Sequence, residues 1–349
     1  MLSSLKYFFK RFWVVILIAL IINVPLIVMG TTRTNSYLTL KGDTMKFNSV
    51  LDIETDYKEE GSFSTIYVIS FNHSTILQNI LVENDLTIAK GELSTSTTTG
   101  SNHITDKESY DAGKIQYYSS INESIIMAYN KAISTGNNVS IDYYFDGYYV
   151  TWYNQTSLFR VGDHIVKVYP YIYNGEEISY TDEERFRNAL NNRYVNDRYV
   201  VERNGVEYEF VLTVDNNFYG YSKYEINMDT ISPKVRFKDN AIGGPSGGLL
   251  QALSIYNRIT EADLTHGLKI SGTGTISYNG KVGAIGGIAQ KVPTAVDDNI
   301  DVFFCPKDNY EEAKKVYDSI NHKNMKLVMV ETFEDAVDYL EALWSSHLN

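Results

Sequence analysis

The chain has 349 residues, which suits two globular units and an anchor better than one average domain. It carries 43 Asp and Glu against 31 Lys and Arg, and this acidic balance disfavours a nucleic-acid partner, because phosphate binding needs clustered positive charge. A single cysteine excludes an intramolecular disulfide, and the six histidines are scattered without metal-ligand spacing. We therefore expect no metal ion and no other cofactor.

The first element along the chain is an uncharged apolar run at residues 12–29. At about 1.5 Å per residue, a helix of this length nearly crosses a hydrocarbon layer of roughly 30 Å. Lys6, Lys10 and Arg11 precede it, which predicts a cytoplasmic tail at residues 1–11 and extracellular C-terminal domains. The alternative is a cleaved signal peptide, but the run exceeds the usual apolar region of roughly 7 to 15 residues. We predict a single-pass protein of the cell membrane.

After the anchor, a polar stretch is followed by segments whose apolar residues have the spacing of a strand and of a helix. Residues 31–60 are rich in Thr, Asn and Asp and predict an irregular tether. Residues 64–71 mix β-branched and aromatic side chains, as a buried strand does. Apolar residues at helical spacing predict a helix over residues 121–134.

Residues 137–215 predict a compact β-rich unit. Its strand-like runs lie at 148–152, 164–169, 198–203 and 208–213. One helix is predicted at 182–191. Residues 159–165 resemble the Leu-x-x-Gly-Asp-x-Ile turn of PDZ domains, which bind a peptide as an added strand at a sheet edge. Residues 147–150 are the candidate loop for the peptide carboxylate but depart from the usual Gly-apolar-Gly-apolar pattern, so peptide capture stays open.

The most informative segment is residues 242–260, where glycines crowd around one serine. Pro245 suits the first position of a helix, which would place Ser246 at a helix amino terminus. Unpaired N–H groups and the helix dipole stabilise an anion there, as a tetrahedral acyl intermediate requires. A serine that only caps the helix explains the same residues, so this segment alone does not decide between nucleophile and cap.

A serine nucleophile needs a base, and Lys291 is the best candidate. Before it, Asn279-Gly280 predicts a tight two-residue hairpin turn between strands at 268–278 and 281–285. Lysine acts as a base only when neutral, so burial must lower its pKa from about 10.4 to roughly 7 to 8. Three apolar neighbours could provide that burial: Ile285, Ile288 and Val292. A solvated surface lysine is the alternative.

In this order, the motifs resemble the proteolytic domain of Lon-type proteases over residues 235–307. The family's Gly-Gly-Pro-Ser segment matches residues 243–246, and its Thr-Gly-Thr-Ile matches residues 273–276. Its Gly-x-Val-x-x-Ile-Gly-Gly-x-x-x-Lys pattern matches residues 280–291. The anchor and the PDZ-like unit extend the likeness to membrane-anchored Lon-like serine proteases with a PDZ domain.

The resemblance implies a Ser-Lys dyad, with Ser246 as the nucleophile and Lys291 as the general base. Thr273 is implied as a supporting hydrogen-bond partner of the lysine. Two glycines are assigned to the oxyanion site or to backbone support: Gly244 and Gly247. Pro293 follows the lysine closely, so we expect the local helix to begin near Lys291.

The predicted fold is an α/β (α+β) Lon-type proteolytic domain with an inserted β-rich PDZ-like domain and one N-terminal transmembrane helix. The assigned regions are a cytoplasmic tail (1–11), the transmembrane helix (12–29), the tether and first part of the proteolytic domain (30–136), the PDZ-like domain (137–215) and the rest of the proteolytic domain (216–349). The C-terminal part of the chain predicts alternating strands and helices, at 301–305, 310–320, 326–330 and 333–344.

The sequence contains no Walker A motif, so we predict ATP-independent cleavage of flexible or unfolded extracellular peptides and proteins. One alternative is a membrane-tethered PDZ-like peptide-binding or scaffold protein with an inactive protease domain, and the presence of both Ser246 and Lys291 counts against it. Another is a Ser-His-Asp hydrolase that uses His266, although no histidine lies in a recognisable motif. The oligomeric state is not indicated.

Overall fold

The computed structural model describes residues 2–83, 85, 87–92, 104–238 and 242–345. These residues form two units, a smaller one from the described parts of 1–40 and 69–93 and a larger one from those of 41–68 and 94–349.

The α-helices are, in chain order, α1 (Leu2–Thr31), α2 (Phe47–Val50), α3 (Ile76–Leu81), α4 (Asp106–Ser134), α5 (Glu183–Asn191), α6 (Gly248–Thr260), α7 (Ile288–Asp297), α8 (Lys307–Ser319) and α9 (Phe333–Ser345). The strands are β1 (Ser36–Lys46), β2 (Leu51–Ile53), β3 (Ser62–Phe71), β4 (Ala89–Glu92), β5 (Tyr143–Tyr153), β6 (His164–Tyr169), β7 (Ile178–Ser179), β8 (Arg198–Arg203), β9 (Val206–Val211), β10 (Phe218–Ile226), β11 (Val235–Phe237), β12 (Lys269–Gly272), β13 (Thr275–Ile276), β14 (Val282–Gly283), β15 (Val302–Pro306) and β16 (Lys326–Val330).

The smaller unit contains α1, which is long and apolar enough to cross a membrane. A signal sequence near an amino terminus can also form a helix that is long and apolar enough, so α1 alone does not fix a topology. Pro25 lies inside the helix, as membrane helices tolerate. In the same unit, β4 pairs antiparallel with the first residues of β1, from Ser36 opposite Glu92 to Thr39 opposite Ala89.

Strands occupy much of residues 31–60, so the prediction of an irregular tether there is wrong. In the larger unit, a Cβ atom on Gly42 would lie 2.1 Å from the carbonyl oxygen of Tyr67, so glycine allows β1 to approach β3 closely. β2 pairs antiparallel with β11, with Leu51 opposite Phe237. These strands find their partners far away along the chain, which the polar local composition does not reveal.

The larger unit is centred on parallel strands. β12 pairs in parallel with β3, with Lys269 opposite Ser62, and in parallel with β15, with Ile270 opposite Val302. β16 continues the sheet beside β15, and β1 lies beyond β3. The predicted alternation of strands and helices in the last part of the chain is confirmed by β15, α8, β16 and α9.

Helices cover both faces of this sheet, because successive strand residues point to opposite sides. Val302 and Phe304 pack in a core with α4, α6 and α9, whereas Phe303 and Cys305 pack in a second core with α7 and α8. Cys305 is buried on its strand, and burial raises the pKa of its thiol to about 12.

Helix α4 begins at Asp106 and is much longer than the helix predicted at 121–134. A capping box starts it: the Thr105 hydroxyl accepts from the Glu108 N–H, and the Glu108 carboxylate accepts from the Thr105 N–H. Gly113 weakens the helix propensity of the first half, so periodicity alone missed it.

Between α4 and β11 in the sequence, the chain forms an antiparallel sheet of order β10-β5-β6-β8-β9. We call residues 143–226 the insert. The predicted strands at 148–152, 164–169 and 198–203 and the helix at 182–191 are confirmed by β5, β6, β8 and α5. The strand predicted at 208–213 begins earlier, because Asn204 and Gly205 form a two-residue turn with positive φ and set the register of β9. β10 pairs with β5, so the sheet extends beyond residue 215.

The turn before β6 gives a stability prediction. Asp163 is completely buried, and its carboxylate accepts from the Arg203 guanidinium at 2.6 and 2.7 Å and from the Arg160 N–H at 2.8 Å. We expect Asp163→Asn to lower the free energy of unfolding by at least about 2 kcal/mol in urea titrations, because it breaks charge-assisted bonds in a buried site. Asp318→Asn is the matched control, since Asp318 pairs with Lys314 on an exposed helix face and should change stability by about 0.5 kcal/mol or less. Equal effects of the two substitutions would contradict the prediction.

Candidate active site

The loop that carries Ser246 is a turn immediately before α6. Gly244 has a φ of +87°, and Gly247 is the residue at which α6 is capped. The helix begins at Gly248, so Pro245 precedes the helix and does not occupy its first position, contrary to the prediction. Ser246 is partly exposed at this helix amino terminus, where the Gly248 N–H donates to the Pro245 carbonyl and the Leu249 N–H donates to the Gly274 carbonyl.

Three contacts from α4 hold this loop. The Ser120 hydroxyl donates to the Pro245 carbonyl at 3.2 Å, and the Ser124 hydroxyl donates to the Gly248 carbonyl at 3.0 Å. The carbonyl of Gly113 accepts from the loop as well, from the Gly244 N–H at 2.8 Å. Helix α4 therefore fixes the backbone on both sides of the serine.

Thr273 and Gly274 fix the serine from the other side. The Gly274 N–H donates to the Ser246 carbonyl at 2.8 Å, and the Thr273 hydroxyl donates to the same oxygen at 3.0 Å. These residues lead from β12 into the hairpin of β13 and β14.

The hairpin itself differs from the predicted two-residue turn. The Gly280 N–H donates to the Ser277 carbonyl and the Ser277 N–H donates to the Lys281 carbonyl, so the loop holds three residues with Gly280 at a positive φ. The first predicted strand also divides, because β12 belongs to the parallel sheet and only β13 belongs to the hairpin.

Lys291 lies in the first part of α7, which begins at Ile288 after Gly287 in the left-handed conformation. The helix thus starts earlier than the predicted position near Lys291, and Pro293 lies inside it. Proline removes one backbone donor there, yet Pro293 is itself buried in the helix packing.

The side chain of Lys291 reaches both other predicted residues. Its Nζ lies 3.1 Å from Ser246 Oγ and 3.0 Å from Thr273 Oγ1, each within hydrogen-bond distance. Between a neutral amine and a hydroxyl, either group can act as the donor. The structure therefore brings together the three side chains that the motifs singled out.

Burial controls the charge of this amine. Lys291 is 1 % exposed, and desolvation lowers the pKa of its amine to about 7. Ile288 and Val292, on either side of Lys291 in α7, lie in one buried apolar cluster, and Ile285 packs against that cluster. Near neutral pH, a large fraction of the Lys291 amine is uncharged.

The two glycines assigned to the oxyanion site differ in the structure. The Gly244 N–H is already bonded to the Gly113 carbonyl, so it has no free proton to offer and serves as backbone support. Among the hydrogen bonds of the described residues, none uses the Gly247 N–H as donor. Gly247 therefore remains a candidate oxyanion donor.

The Ser246 hydroxyl opens into a cleft of about 600 Å³. Residues 65–68 of β3 form one wall, and the loop from Ile242 to Gly247 forms another. β3 pairs with β12 only through Ser62 and Phe63, so the edge of β3 that follows is not covered by β12. A strand edge that is not paired with its neighbour can pair with an added extended peptide.

Two other candidate sites from the sequence lie elsewhere. His266 stacks on Trp344 at a ring-centroid distance of 4.1 Å and lines a small cavity apart from the cleft, so it is not brought to Ser246. The predicted carboxylate loop is paired on both sides: Tyr149 lies opposite Tyr221 of β10 and opposite His164 of β6. A peptide could not add to β5 there unless β10 moved away.

Sequence reasoning missed the supports on α4, namely Gly113, Ser120 and Ser124. A run of small residues inside a helix was the only available signal, and small residues on a helix are not specific for an active site. Among the residues that the structure describes, no group of three or more His, Cys, Asp or Glu side chains could hold a metal ion.

Residues 221–342 match the family model described as the Lon protease (S16) C-terminal proteolytic domain. The Lon protease of Campylobacter jejuni is 28% identical over 131 residues, which are 37% of this chain and 15% of that protein. The Lon protease 2 of Bacillus subtilis is 30% identical over 97 residues, which are 28% of this chain and 16% of that protein.

A third relative, the Lon protease of aster yellows witches'-broom phytoplasma, is 26% identical over 36% of this chain and 14% of that protein. The match thus spans a small part of each of these curated relatives. The matched residues include the serine loop, the hairpin and α7. Residues 221–342 are therefore similar to the Lon protease (S16) C-terminal proteolytic domain, and this similarity supports a serine peptidase.

Proposed function

We propose that this protein is a membrane-anchored, ATP-independent serine endopeptidase in which Ser246 and Lys291 form a catalytic dyad. The observation that carries the proposal is the 3.1 Å distance between Ser246 Oγ and a buried Lys291 amine. Burial lowers the pKa of this amine to about 7, so the lysine can accept a proton near neutral pH.

In the proposed mechanism, neutral Lys291 takes the proton of the Ser246 hydroxyl as Oγ attacks the peptide carbonyl carbon. The Gly247 N–H and the amino terminus of α6 stabilise the developing oxyanion. Protonated Lys291 then donates its proton to the leaving amine, and an acyl-enzyme forms. A water molecule then gives a proton to Lys291 and attacks the acyl carbon, and Lys291 returns that proton to Ser246 Oγ as the carboxylic acid product leaves.

Thr273 has a positioning role in this scheme. Its hydroxyl oxygen accepts from the lysine amine and its proton goes to the Ser246 carbonyl, so one side chain aligns base and nucleophile. The uncovered edge of β3 supports an extended substrate chain, which favours flexible or unfolded proteins over folded ones.

The membrane part of the proposal is supported by α1 and by the positive charges before its apolar run. In this topology the larger unit faces the outside of the cell. ATP independence stays a prediction from the sequence analysis. PDZ-like peptide capture by the insert stays a prediction that would require β10 to leave β5.

The scaffold alternative requires an inactive protease domain. A buried lysine without catalytic use would be a cost to stability, because desolvating an amine is unfavourable. The contact of Lys291 with Ser246 therefore favours the enzyme.

Substitution of the dyad tests the proposal. We expect Ser246→Ala and Lys291→Met each to lower kcat/KM of the full-length protein in detergent by at least about 10³-fold, because nucleophile and base act as a unit. Ser319→Ala and Lys315→Met change exposed residues of the same types and should retain activity. Circular dichroism checks that all four variants fold. A folded Lys291→Met with near wild-type cleavage would refute the dyad.

The pH dependence follows from the lowered pKa. Because the base is active only when neutral, kcat/KM should rise as pH increases through about 7 and level off above it. His266→Ala should leave this rise unchanged, since His266 lies apart from the cleft. A flat profile from about pH 5 to about pH 9, or a profile lost in His266→Ala, would contradict a lysine base.

The proposed topology has its own test. Protease added to intact cells should degrade the part of the chain after α1 and leave a cytoplasmic tag at the amino terminus protected. Fusion of the same tag to the carboxyl terminus provides the control for accessibility. Protection of the carboxyl-terminal tag would show the opposite orientation.

A further inference from the structure

A second cavity lies between α4 and the insert, and we call it the side groove. It has a volume of about 250 Å³ and no residue in common with the cleft at Ser246. Its lining residues on α4, β5 and β10 include Lys114, Tyr118, Ser119, Tyr149, Tyr221 and Lys223.

The side groove begins where the cleft ends on α4. Tyr117 lines the cleft, and the next residue, Tyr118, lines the side groove, with 5.6 Å between their ring centroids. The ammonium of Lys114 lies 5.7 Å from the Tyr117 ring and 6.0 Å from the Tyr118 ring. Lys114 thus lines the side groove and also lies over the ring of Tyr117, which lines the cleft.

The walls of the side groove are fixed to each other. The Ser119 hydroxyl donates to the Ser222 carbonyl at 2.7 Å, and the Asn122 amide donates to the Tyr224 carbonyl at 2.6 Å. These bonds satisfy the outer edge of β10 and join it to α4. These hydrogen bonds hold the α4 wall of the side groove against its β10 wall.

The lining chemistry indicates the kind of occupant. Tyrosine side chains combine large apolar surface with a hydroxyl group and lose little entropy on binding. Lys223 is paired with Asp146 at 3.0 Å and with Glu225 at 2.6 Å, so carboxylates already neutralise this lysine. Cofactor and drug-sized sites measure roughly 300 to 1,000 Å³, and the side groove is smaller than that range. An extended peptide with one large apolar side chain fits these features.

We propose that the side groove binds the substrate chain beyond the cleft, with an aromatic or large aliphatic side chain of the substrate against Tyr118, Tyr149 and Tyr221. This inference rests on the proposed peptidase function. It assigns to α4 and the insert a second contact with the same polypeptide that is cleaved at Ser246.

Three peptides with the same cleavage sequence test the inference. The first spans only the cleft, the second adds about ten polar residues with one tyrosine on each side, and the third adds the same residues with serine in place of tyrosine. With the full-length protein in detergent, we expect the second peptide to have a KM about three- to ten-fold lower than the other two, the range of an aromatic contact.

Tyr118→Ala should remove this advantage and leave kcat/KM for the first peptide unchanged. Tyr144→Ala is the matched control, because Tyr144 is an exposed tyrosine of β5 outside the side groove. Equal KM values for the three peptides on the wild type, or an equal loss for all peptides in Tyr118→Ala, would overturn the inference.

Failure of the proposed function gives a different result. If the wild type cleaves none of the peptides, binding of the fluorescein-labelled second and third peptides is measured by anisotropy on Ser246→Ala. Tighter binding of the second peptide that Tyr118→Ala abolishes still supports the side groove. Equal binding of both peptides overturns it.

Discussion

The site depends above all on the burial of one amine. Lys291 has almost no contact with water, and the only described polar partners of its side-chain amine are the hydroxyls of Ser246 and Thr273. A shift of the lysine pKa from about 10.4 to about 7 costs the fold about 3 to 5 kcal/mol. The unfolded chain binds the proton more tightly, so this cost is complete below about pH 7 and fades as pH rises toward 10.4. Packing of α7 and α8 against the parallel sheet must offset it.

Helix α4 connects the insert to the loop of Ser246, the residue that contacts this amine. One set of its small side chains, Ser120 and Ser124, donates to the serine loop, while Ser119 and Asn122 donate to β10 of the insert. Nucleophile and insert are thus held by neighbouring turns of one helix. A peptidase arranged in this way can contact its substrate on both faces of α4, at the cleft and at the side groove, without a hinge between domains.

Much of this could be predicted, because the informative residues are close to one another in sequence motifs. The order of the serine, threonine and lysine motifs led to Ser246, Thr273 and Lys291, and strand patterns located β6 and β8 within a residue. The failures concern long-range contacts. β1 was missed since its partners lie elsewhere in the chain, and the first half of α4 was missed since Gly113 and neighbouring serines lower its propensity. The role of the Gly244 N–H could not be foreseen, because its acceptor, Gly113, lies on that unpredicted half-helix.

The protonation state of Lys291 is the most direct test of the account. Lysines of the full-length protein are labelled with ¹³C at the ε-carbon, and the Lys291 signal is assigned by its absence from Lys291→Met. Titration of this signal by NMR should give a pKa near 7, well below the ordinary lysine value of about 10.4. A midpoint close to the ordinary value would mean that the amine is charged at neutral pH, and Lys291 could not then be the base for Ser246.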